Sequence, residues 1–398
     1  MAYPFPRIAL TPQTPQYVQG IESPRNKMAR RPQPGWIGGY KSTAILAAFV
    51  VAVLLWLVNS SSLRSRKQAD RIPISPSHAK DYFARFEGHQ DCGLLSPDLY
   101  IPPAQHEHDR RGHPYCPNRA TLLEAMSGGG RHGFDAPFFP ADCHYRWYST
   151  DEICMILDRF DTVVFIGDSV LQHIYAAFNM LLRENIGMGG LKQWEMKESE
   201  RSICRCDNQL MKSECSNHAV LHSQEVIDND GGSSHRSPYH CDRTPHVLLP
   251  ISGSPAPESL HNTFTSIISR DPDSYKPIPV ILSVSLSTSL SWPAATASMD
   301  EWLALADTSR RNMPFLWVGP NAAGHLKPPG QILSQGNNAL WHYTVEQLKE
   351  AKTRDMDALG MYNLTLQAAS WDGSSYGQKV ALVQAMMIIN WLSRVDST

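Results

Sequence analysis

The sequence predicts an α/β fold in which a mainly parallel β-sheet is covered by helices on both faces. The chain has 398 residues and is 42% hydrophobic, which is enough to bury a substantial core. Beyond Asp158, short apolar runs alternate with stretches of helical spacing, as in a parallel sheet with helical crossovers. We expect residues 158–398 to form the main domain.

Four apolar runs are predicted as strands of this sheet: VVFIG (163–167), HVLLPI (246–251), PVILSVS (279–285) and PFLWVG (314–319). Helical spacing is found near 170–184, 257–270, 296–307, 337–359 and 377–394. The first predicted helix has one apolar stripe, formed by Val170, Ile174, Phe178 and Leu181. The alternation fails between about 191 and 243, and we expect this insertion to lie at the rim of the sheet.

The amino-terminal part of the chain is first basic and then apolar. Residues 1–41 contain six Lys and Arg against one Glu, with seven prolines, and are predicted to form a disordered cytosolic tail. Residues 42–58 carry no charge and would span about 25 Å as a helix, which favours a retained transmembrane signal anchor. A buried core helix and a cleaved signal peptide are the alternatives. Residues 59–85 are polar and basic and are interpreted as a stem.

Eight cysteines indicate the compartment of the domain. All lie beyond the predicted anchor, between Cys92 and Cys241, and an even set suits disulfides in an oxidising compartment. We therefore expect the domain to face the lumen of the secretory pathway, with 86–157 as an irregular disulfide-tied layer. The alternative is a zinc site at three closely spaced cysteines, Cys204, Cys206 and Cys215.

Two further patterns bear on localisation and partners. Asn59-Ser-Ser and Asn363-Leu-Thr are N-glycosylation sequons, which are usable only on the lumenal side of a membrane. The chain has a formal net charge of −2 at pH 7, so its charge gives no reason to expect a nucleic-acid partner. With the anchor, these patterns predict a single-pass type II membrane glycoprotein.

The stretch Gly167-Asp168-Ser169 ends the first predicted strand and precedes the first predicted helix. Ligands of open α/β sheets bind beyond the carboxyl ends of the strands, where this turn falls. Ser169 is therefore a candidate nucleophile, with a helix N-cap as the alternative role. A hydroxyl alone is inert, because attack on an ester needs a base within hydrogen-bond reach and donors for the oxyanion.

Several separated blocks resemble one known group: CHYRWYSTDEIC (143–154), VVFIGDSVLQHIYAAFNMLLREN (163–185), ERSICRC (200–206), VGPNAAGHLKPPGQILSQGNNAL (318–340) and WDGSSYGQKVALVQAMMIINWL (371–392). They resemble the fungal membrane-anchored proteins of the PC-esterase group in the GDSL/SGNH hydrolase superfamily. That group is related to capsule polysaccharide O-acetyltransferases and trichome-birefringence-like proteins. The resemblance covers roughly 86–394 and implies an SGNH-hydrolase-like three-layer α/β/α sandwich, with acetyl-ester chemistry on glycans and no cofactor or metal.

The resemblance also assigns site residues. Ser169 matches the nucleophile, whose backbone N–H helps to form the oxyanion hole, and Asp372 matches the acid of the closing Asp-x-x-His element. Two positions depart from the family pattern, since Ser375 stands where the group has histidine and Thr288 stands at the oxyanion asparagine. Ser285 also occupies a glycine position. A serine hydroxyl cannot take a proton near neutral pH.

These departures would cost most of the usual activity. Losing a triad histidine is worth on the order of 10⁶ in turnover, and losing an oxyanion side-chain donor costs about 3–4 kcal/mol of barrier. We therefore expect a catalytically impaired homologue in the Golgi that binds a glycan or scaffolds a partner enzyme. The alternative is an active acetyl-ester hydrolase or transferase that uses Ser169 with a relocated base.

Two histidines and four tryptophans are also considered as site residues. His325, in the stretch after a predicted strand, is the better substitute base, whereas His173 on the first helix is interpreted as ordinary packing. Four tryptophans are candidates for a sugar-binding cleft, although most are expected to be core residues: Trp292, Trp317, Trp341 and Trp371.

Overall fold

The computed structural model describes residues 81–101, 115–230, 241, 243–271 and 274–396. All of them fall within one compact unit, Ala79–Thr398. The predicted tail (1–41), the predicted anchor (42–58) and most of the predicted stem lie outside the described residues. In the part of the chain that is described, no helix is long and apolar enough to cross a membrane.

The main sheet contains five strands, and every neighbouring pair is parallel. Its strands are β3 (Val163–Gly167), β4 (His246–Pro250), β5 (Val280–Ser283), β6 (Phe315–Val318) and β7 (Asp357–Leu359), and they lie in the order β4-β3-β5-β6-β7. This is the doubly wound order 2-1-3-4-5, whose direction reverses between β3 and β5. A separate antiparallel pair is formed by β1 (Gly130–Arg131) and β2 (Phe138–Phe139). The predicted α/β class and all four predicted strands are confirmed.

The described helices fall into two groups. The longer ones are α2 (Arg119–Gly128), α3 (Thr150–Leu157), α4 (Ser169–Leu182), α8 (Ser223–Asp230), α9 (Glu258–Ile268), α10 (Trp292–Asp307), α12 (Asn337–Thr353) and α14 (Gln378–Leu392). The shorter ones are α1 (His89–Cys92), α5 (Glu198–Ile203), α6 (Asn208–Met211), α7 (Ser213–Ser216), α11 (Ile332–Gln335) and α13 (Tyr362–Thr365). Short 3₁₀ turns occur at Ser96–Asp98, Gln193–Glu195, Leu286–Thr288 and Pro329–Gln331.

Helices cover both faces of the sheet, because alternate strand residues point to opposite sides. Phe165 and Ile281 are buried on the face that packs against α4 and α14. Their neighbours Ile166 and Leu282 are buried on the other face, against α9, α10 and α12. Burial on both faces explains why the strands read as continuous apolar runs rather than as alternating ones.

One strand was missed by the sequence prediction. The helix expected over 337–359 ends at Thr353, and Asp357–Leu359 forms β7 at the edge of the sheet. Asp355 has a φ of 57°, a left-handed conformation that ends the helix and turns the chain into the strand. A strand of three residues that contains an aspartate is too short and too polar for an apolar run to reveal it.

The region predicted to be irregular, 86–157, is more ordered than expected. It contains α1, α2 and α3 as well as the β1–β2 pair. Folded structure also begins earlier than predicted, because Phe83 and Phe86 are buried and pack against each other, and Phe83 also packs against Trp147. The last residues of the predicted stem, from 81 onward, therefore belong to the domain.

Four disulfides use all eight cysteines: Cys92–Cys206, Cys116–Cys143, Cys154–Cys241 and Cys204–Cys215. The predicted disulfides are confirmed, and they indicate an oxidising compartment, secreted or lumenal. The zinc alternative finds no support, since no group of three His, Cys, Asp or Glu suited to a metal exists among the residues described. The insertion that carries four of these cysteines runs beside β4, where the Leu248 amide donates to the Leu221 carbonyl over 2.8 Å.

Candidate active site

The turn between β3 and α4 packs closely against β5. A Cβ atom placed on Gly167 would lie 2.4 Å from the carbonyl oxygen of Ser283, so only glycine fits there. The Asp168 amide donates to that same oxygen over 3.1 Å. The strand therefore delivers the next two residues to the carboxyl edge of the sheet, at the point where the strand order reverses.

Asp168, rather than Ser169, caps the helix. One oxygen of the buried Asp168 carboxylate accepts from the Val170 amide at 3.2 Å. The other accepts from the Ser285 amide at 2.9 Å, the Ser285 hydroxyl at 3.1 Å and the Ser287 hydroxyl at 3.2 Å. The N-cap role considered for Ser169 is therefore wrong, because Asp168 holds that position and ties the turn to the loop after β5.

Ser169 occupies the first position of α4 and is exposed. Within the described chain its hydroxyl takes part in no hydrogen bond, and its backbone N–H lies at the helix N-terminus, where the macrodipole favours negative charge. An accessible serine hydroxyl is thus present at the carboxyl edge of the sheet. Activity then depends on whether a base and further oxyanion donors are present.

The Asp372 side chain accepts hydrogen bonds from residues of its own loop. The Oδ1 atom of Asp372 accepts from the amides of Ser374 and Ser375, both at 2.7 Å, and its Oδ2 atom accepts from the Ser375 hydroxyl at 3.1 Å. Partial burial by itself would raise the pKa of Asp372. The hydrogen bonds from Ser375 and Ser374, with the charge of nearby Lys327, outweigh burial and lower that pKa below its ordinary value.

The Asp372 loop also fits closely against the loop after β6. Gly373 has a φ of 80°, and a Cβ atom there would lie 2.2 Å from the backbone of Lys327. The ammonium group of Lys327 donates to the Ser374 hydroxyl over 2.6 Å. The loop conformation is therefore held by contacts that need no histidine at position 375.

His173 lies on the same helix as Ser169. It follows Ser169 by one turn on α4, so the two side chains share a helix face. Burial lowers the pKa of His173 to about 4, and the charge of the Asp372 carboxylate partly opposes this shift. The ring is neutral at pH 7, and none of the described residues hydrogen-bonds to it. The interpretation of His173 as ordinary packing gave no sign of this electrostatic interaction with Asp372.

His325, the substitute base favoured by the sequence, lies in other contacts. Its side chain is exposed, its Nδ1 atom is 3.4 Å from the Ser370 hydroxyl, and its ring meets that of Phe134 edge to face at 5.1 Å. No hydrogen bond joins it to Ser169 in the portion of the chain described. In the residues described, neither His325 nor His173 hydrogen-bonds to Ser169.

The remaining oxyanion positions are occupied by internal hydrogen bonds. The Thr288 hydroxyl donates to the Ser285 carbonyl at 2.9 Å, within the turn that follows β5. The amide and the hydroxyl of Ser285 both donate to Asp168. Of the two oxyanion donors that the family resemblance implies, the Ser169 backbone N–H and the side chain at position 288, only the first makes no hydrogen bond within the described chain.

The tryptophans differ from the expectation that most of them are core residues. Trp317 is 1% exposed on β6, but Trp371, Trp292 and Trp341 are 51%, 48% and 44% exposed. Trp371 directly precedes Asp372 and lines a cavity of about 150 Å³. An aromatic surface is thus available beside the candidate site.

No family model matches this chain, and a search of curated proteins finds no match either. The fold and the site define a class of protein by themselves. It is a doubly wound α/β protein with four disulfides, and an exposed serine begins the helix at the strand-order reversal of its sheet.

Proposed function

We propose that this chain is a divergent member of the GDSL/SGNH hydrolase superfamily, of the PC-esterase type, that binds a glycan and has lost standard acetyl-ester hydrolysis. Three features support the superfamily assignment and its three-layer α/β/α sandwich. The sheet has the order 2-1-3-4-5, Gly-Asp-Ser follows its first strand, and the Asp372 carboxylate interacts electrostatically with His173 on the helix that begins at Ser169.

The observation that best supports the proposed loss of activity is the hydrogen bond from the Ser375 hydroxyl to Asp372. In the related hydrolases this position holds the histidine that takes the proton of the nucleophile. A serine hydroxyl donates to the carboxylate here but cannot act as a base near neutral pH. Because Thr288 also donates within its own turn, both the base and an oxyanion donor are missing from their standard positions.

We assign the protein to the lumen of the secretory pathway, in the Golgi, as a single-pass type II membrane glycoprotein. Four disulfides support an oxidising compartment. The anchor at 42–58 rests on the sequence alone, as does the cytosolic placement of 1–41. A glycan, or a partner enzyme that the protein scaffolds, is the proposed ligand in polysaccharide modification.

Two measurements on the detergent-solubilised full-length chain test this function. A serine-directed fluorophosphonate should label the wild type no more than Ser169→Ala, and the wild type should be retained on an immobilised polysaccharide. Ser169-dependent labelling would refute the loss of activity. Failure to bind any polysaccharide in a panel of neutral and acidic polymers would refute the glycan function.

One observation favours a second candidate function, an ester hydrolase with a relocated base. His173 lies on the same helix face as Ser169 and interacts electrostatically with Asp372, as a general base for that hydroxyl would. In that case His173→Gln and Ser169→Ala would each abolish fluorophosphonate labelling, while His325→Ala would not. If His325→Ala abolished labelling instead, the base would lie in the loop after β6.

A further inference from the structure

The cavity beside Trp371 lies where three parts of the chain meet: the end of α1, the turn at Asp207 and the start of α14. Its volume of about 150 Å³ is below the usual range for drug-sized ligands, so it accommodates a single ring or a small group. The Trp371 amide donates to the Ser375 carbonyl at 3.1 Å, which ties the backbone of Trp371 to the Asp372 loop. The cavity therefore borders the loop that carries Asp372.

Two exposed aromatic side chains border this region. Trp371 is 51% exposed, and Phe134, which precedes the lining residue Asp135, is 63% exposed. Covering these exposed rings with a ligand would be favourable, because it removes their apolar surface from water. A ligand that offers a flat apolar face would cover the indole.

Charged groups of both signs line the same cavity. The Asp135 carboxylate accepts from the Lys379 ammonium at 2.9 Å and from the Ala369 amide at 3.2 Å. Asp207 is half-buried, and its Oδ1 atom accepts from the Gln378 amide at 2.7 Å. Its Oδ2 atom accepts no hydrogen bond from the described residues. The cavity thus has a net charge of −1 from these three side chains and offers one free carboxylate oxygen.

We propose that this cavity binds one pyranose residue of a neutral glycan, stacked on Trp371 and hydrogen-bonded to Asp207. This inference rests on the proposed glycan-binding function and names its subsite and ligand class. The C–H face of a pyranose supplies the flat apolar surface, and its hydroxyl groups donate to the free Asp207 oxygen. A neutral sugar is favoured over a uronate, because the cavity carries a net charge of −1 after Lys379 pairs with Asp135, and the carboxylate of a uronate would meet the charge of Asp207.

The test compares variants of the full-length protein on a panel of neutral polymers (mannan, galactan, xylan and β-glucan) and two uronate polymers (polygalacturonate and alginate). Trp371→Ala should weaken binding of the preferred neutral polymer roughly tenfold or more, as truncation of a central aromatic contact does. Trp341→Ala is the matched control, since this tryptophan is 44% exposed but packs against Tyr362 and lines a different cavity. It should change binding less than twofold.

Asp207→Asn separates charge from shape, because the amide oxygen of asparagine can still accept from Gln378. It should weaken neutral-polymer binding and reduce the discrimination against uronates. Equal thermal unfolding of the variants confirms that each is folded. If the wild type binds a neutral polymer and Trp371→Ala binds it equally well, the subsite is wrong while the glycan function stands. Preference of the wild type for uronates would overturn the ligand class, and binding of no polymer would overturn both proposals.

Discussion

Asp372 and Ser375 are joined by two hydrogen bonds within one turn, from the Ser375 amide to Oδ1 at 2.7 Å and from the Ser375 hydroxyl to Oδ2 at 3.1 Å. In a catalytic triad the carboxylate accepts a hydrogen bond from an imidazole and orients it. Here the Asp372 carboxylate accepts hydrogen bonds from its own loop. The loop therefore keeps its shape and its charge without a base. The loop thus keeps its conformation through contacts of its own, as the proposed loss of activity requires.

The first prediction concerns the buried carboxylate of Asp168. Asp168→Ala removes the acceptor of the Ser285 amide and hydroxyl, so it should lower the free energy of unfolding by about 1.5–3 kcal/mol, as expected for hydrogen bonds to a charged group. Ser287→Ala, at an exposed donor to the same carboxylate, should cost less than about 1 kcal/mol. Urea unfolding measures both. Equal losses for the two variants would show that Asp168 does not organise this edge of the sheet.

The disulfides should differ in their contribution to stability. Cys154–Cys241 joins residues 87 apart, whereas Cys204–Cys215 joins residues 11 apart. In the chain-entropy model, removing the first pair by paired Cys→Ala changes should cost about 4–5 kcal/mol and removing the second about 3 kcal/mol. Chemical denaturation under non-reducing conditions gives the comparison. A larger loss for the short loop would show that native packing, not loop closure, decides the difference.

Stability should fall as the pH is lowered from about 6.5 to 4. The folded chain keeps His173 neutral down to a pKa of about 4, while the unfolded chain takes up a proton near pH 6.5. The unfolded state thus binds more protons in this window, so the free energy of unfolding rises with pH and then levels off. Buried His246, whose pKa is lowered to about 3, contributes in the same direction.

The variant His173→Gln isolates this contribution. In the variant, unfolding takes up about one proton fewer between pH 4 and 6.5. The slope of the free energy of unfolding against pH should therefore fall by about 1.4 kcal/mol per pH unit in this range. Unfolding curves at a series of pH values measure the slope for wild type and variant. An unchanged slope would mean that His173 is protonated in the folded protein.

The sequon at Asn363 should remain unmodified in the folded protein. Its side-chain amide donates to the Ser127 carbonyl at 2.8 Å, and Thr365 of the same sequon is fully buried. A glycan on Asn363 would break this contact, so Asn363→Gln should leave the electrophoretic mobility unchanged. Asn59→Gln should increase mobility if the chain enters the lumen as proposed. A mobility shift with Asn363→Gln would show that this contact does not form before modification.

Much of the fold could be predicted from the sequence, because burial on both faces makes the central strands apolar throughout. Phe165 and Ile166 point to opposite sides of the sheet, yet both are fully buried. The edge strand β7 could not be found in this way, since Asp357 and Ala358 retain exposed surface. The helical spacing of the residues before β7 did not indicate that α12 ends at Thr353.

The site was less predictable than the fold. The position of Ser169 followed from the strand-to-helix change, but its N-cap alternative failed because Asp168 carries the better-placed oxygen. The electrostatic interaction of His173 with Asp372 depends on a loop from the far end of the chain, which no local pattern connects to α4. The four-residue separation of Ser169 and His173 was the one available signal, and core packing explained it equally well.

Restoring the family residues tests the central claim most directly. Ser375→His supplies an imidazole that Asp372 can orient, and Thr288→Asn supplies an oxyanion donor. Acetyl-ester hydrolysis, measured with p-nitrophenyl acetate and an acetylated polysaccharide, should be undetectable above Ser169→Ala for the unmodified protein. Each single change should gain little and the double change clearly more, because the groups of a triad act as a unit. Ser169-dependent hydrolysis by the unmodified protein, lost on His173→Gln, would contradict the claim and show that the base had moved.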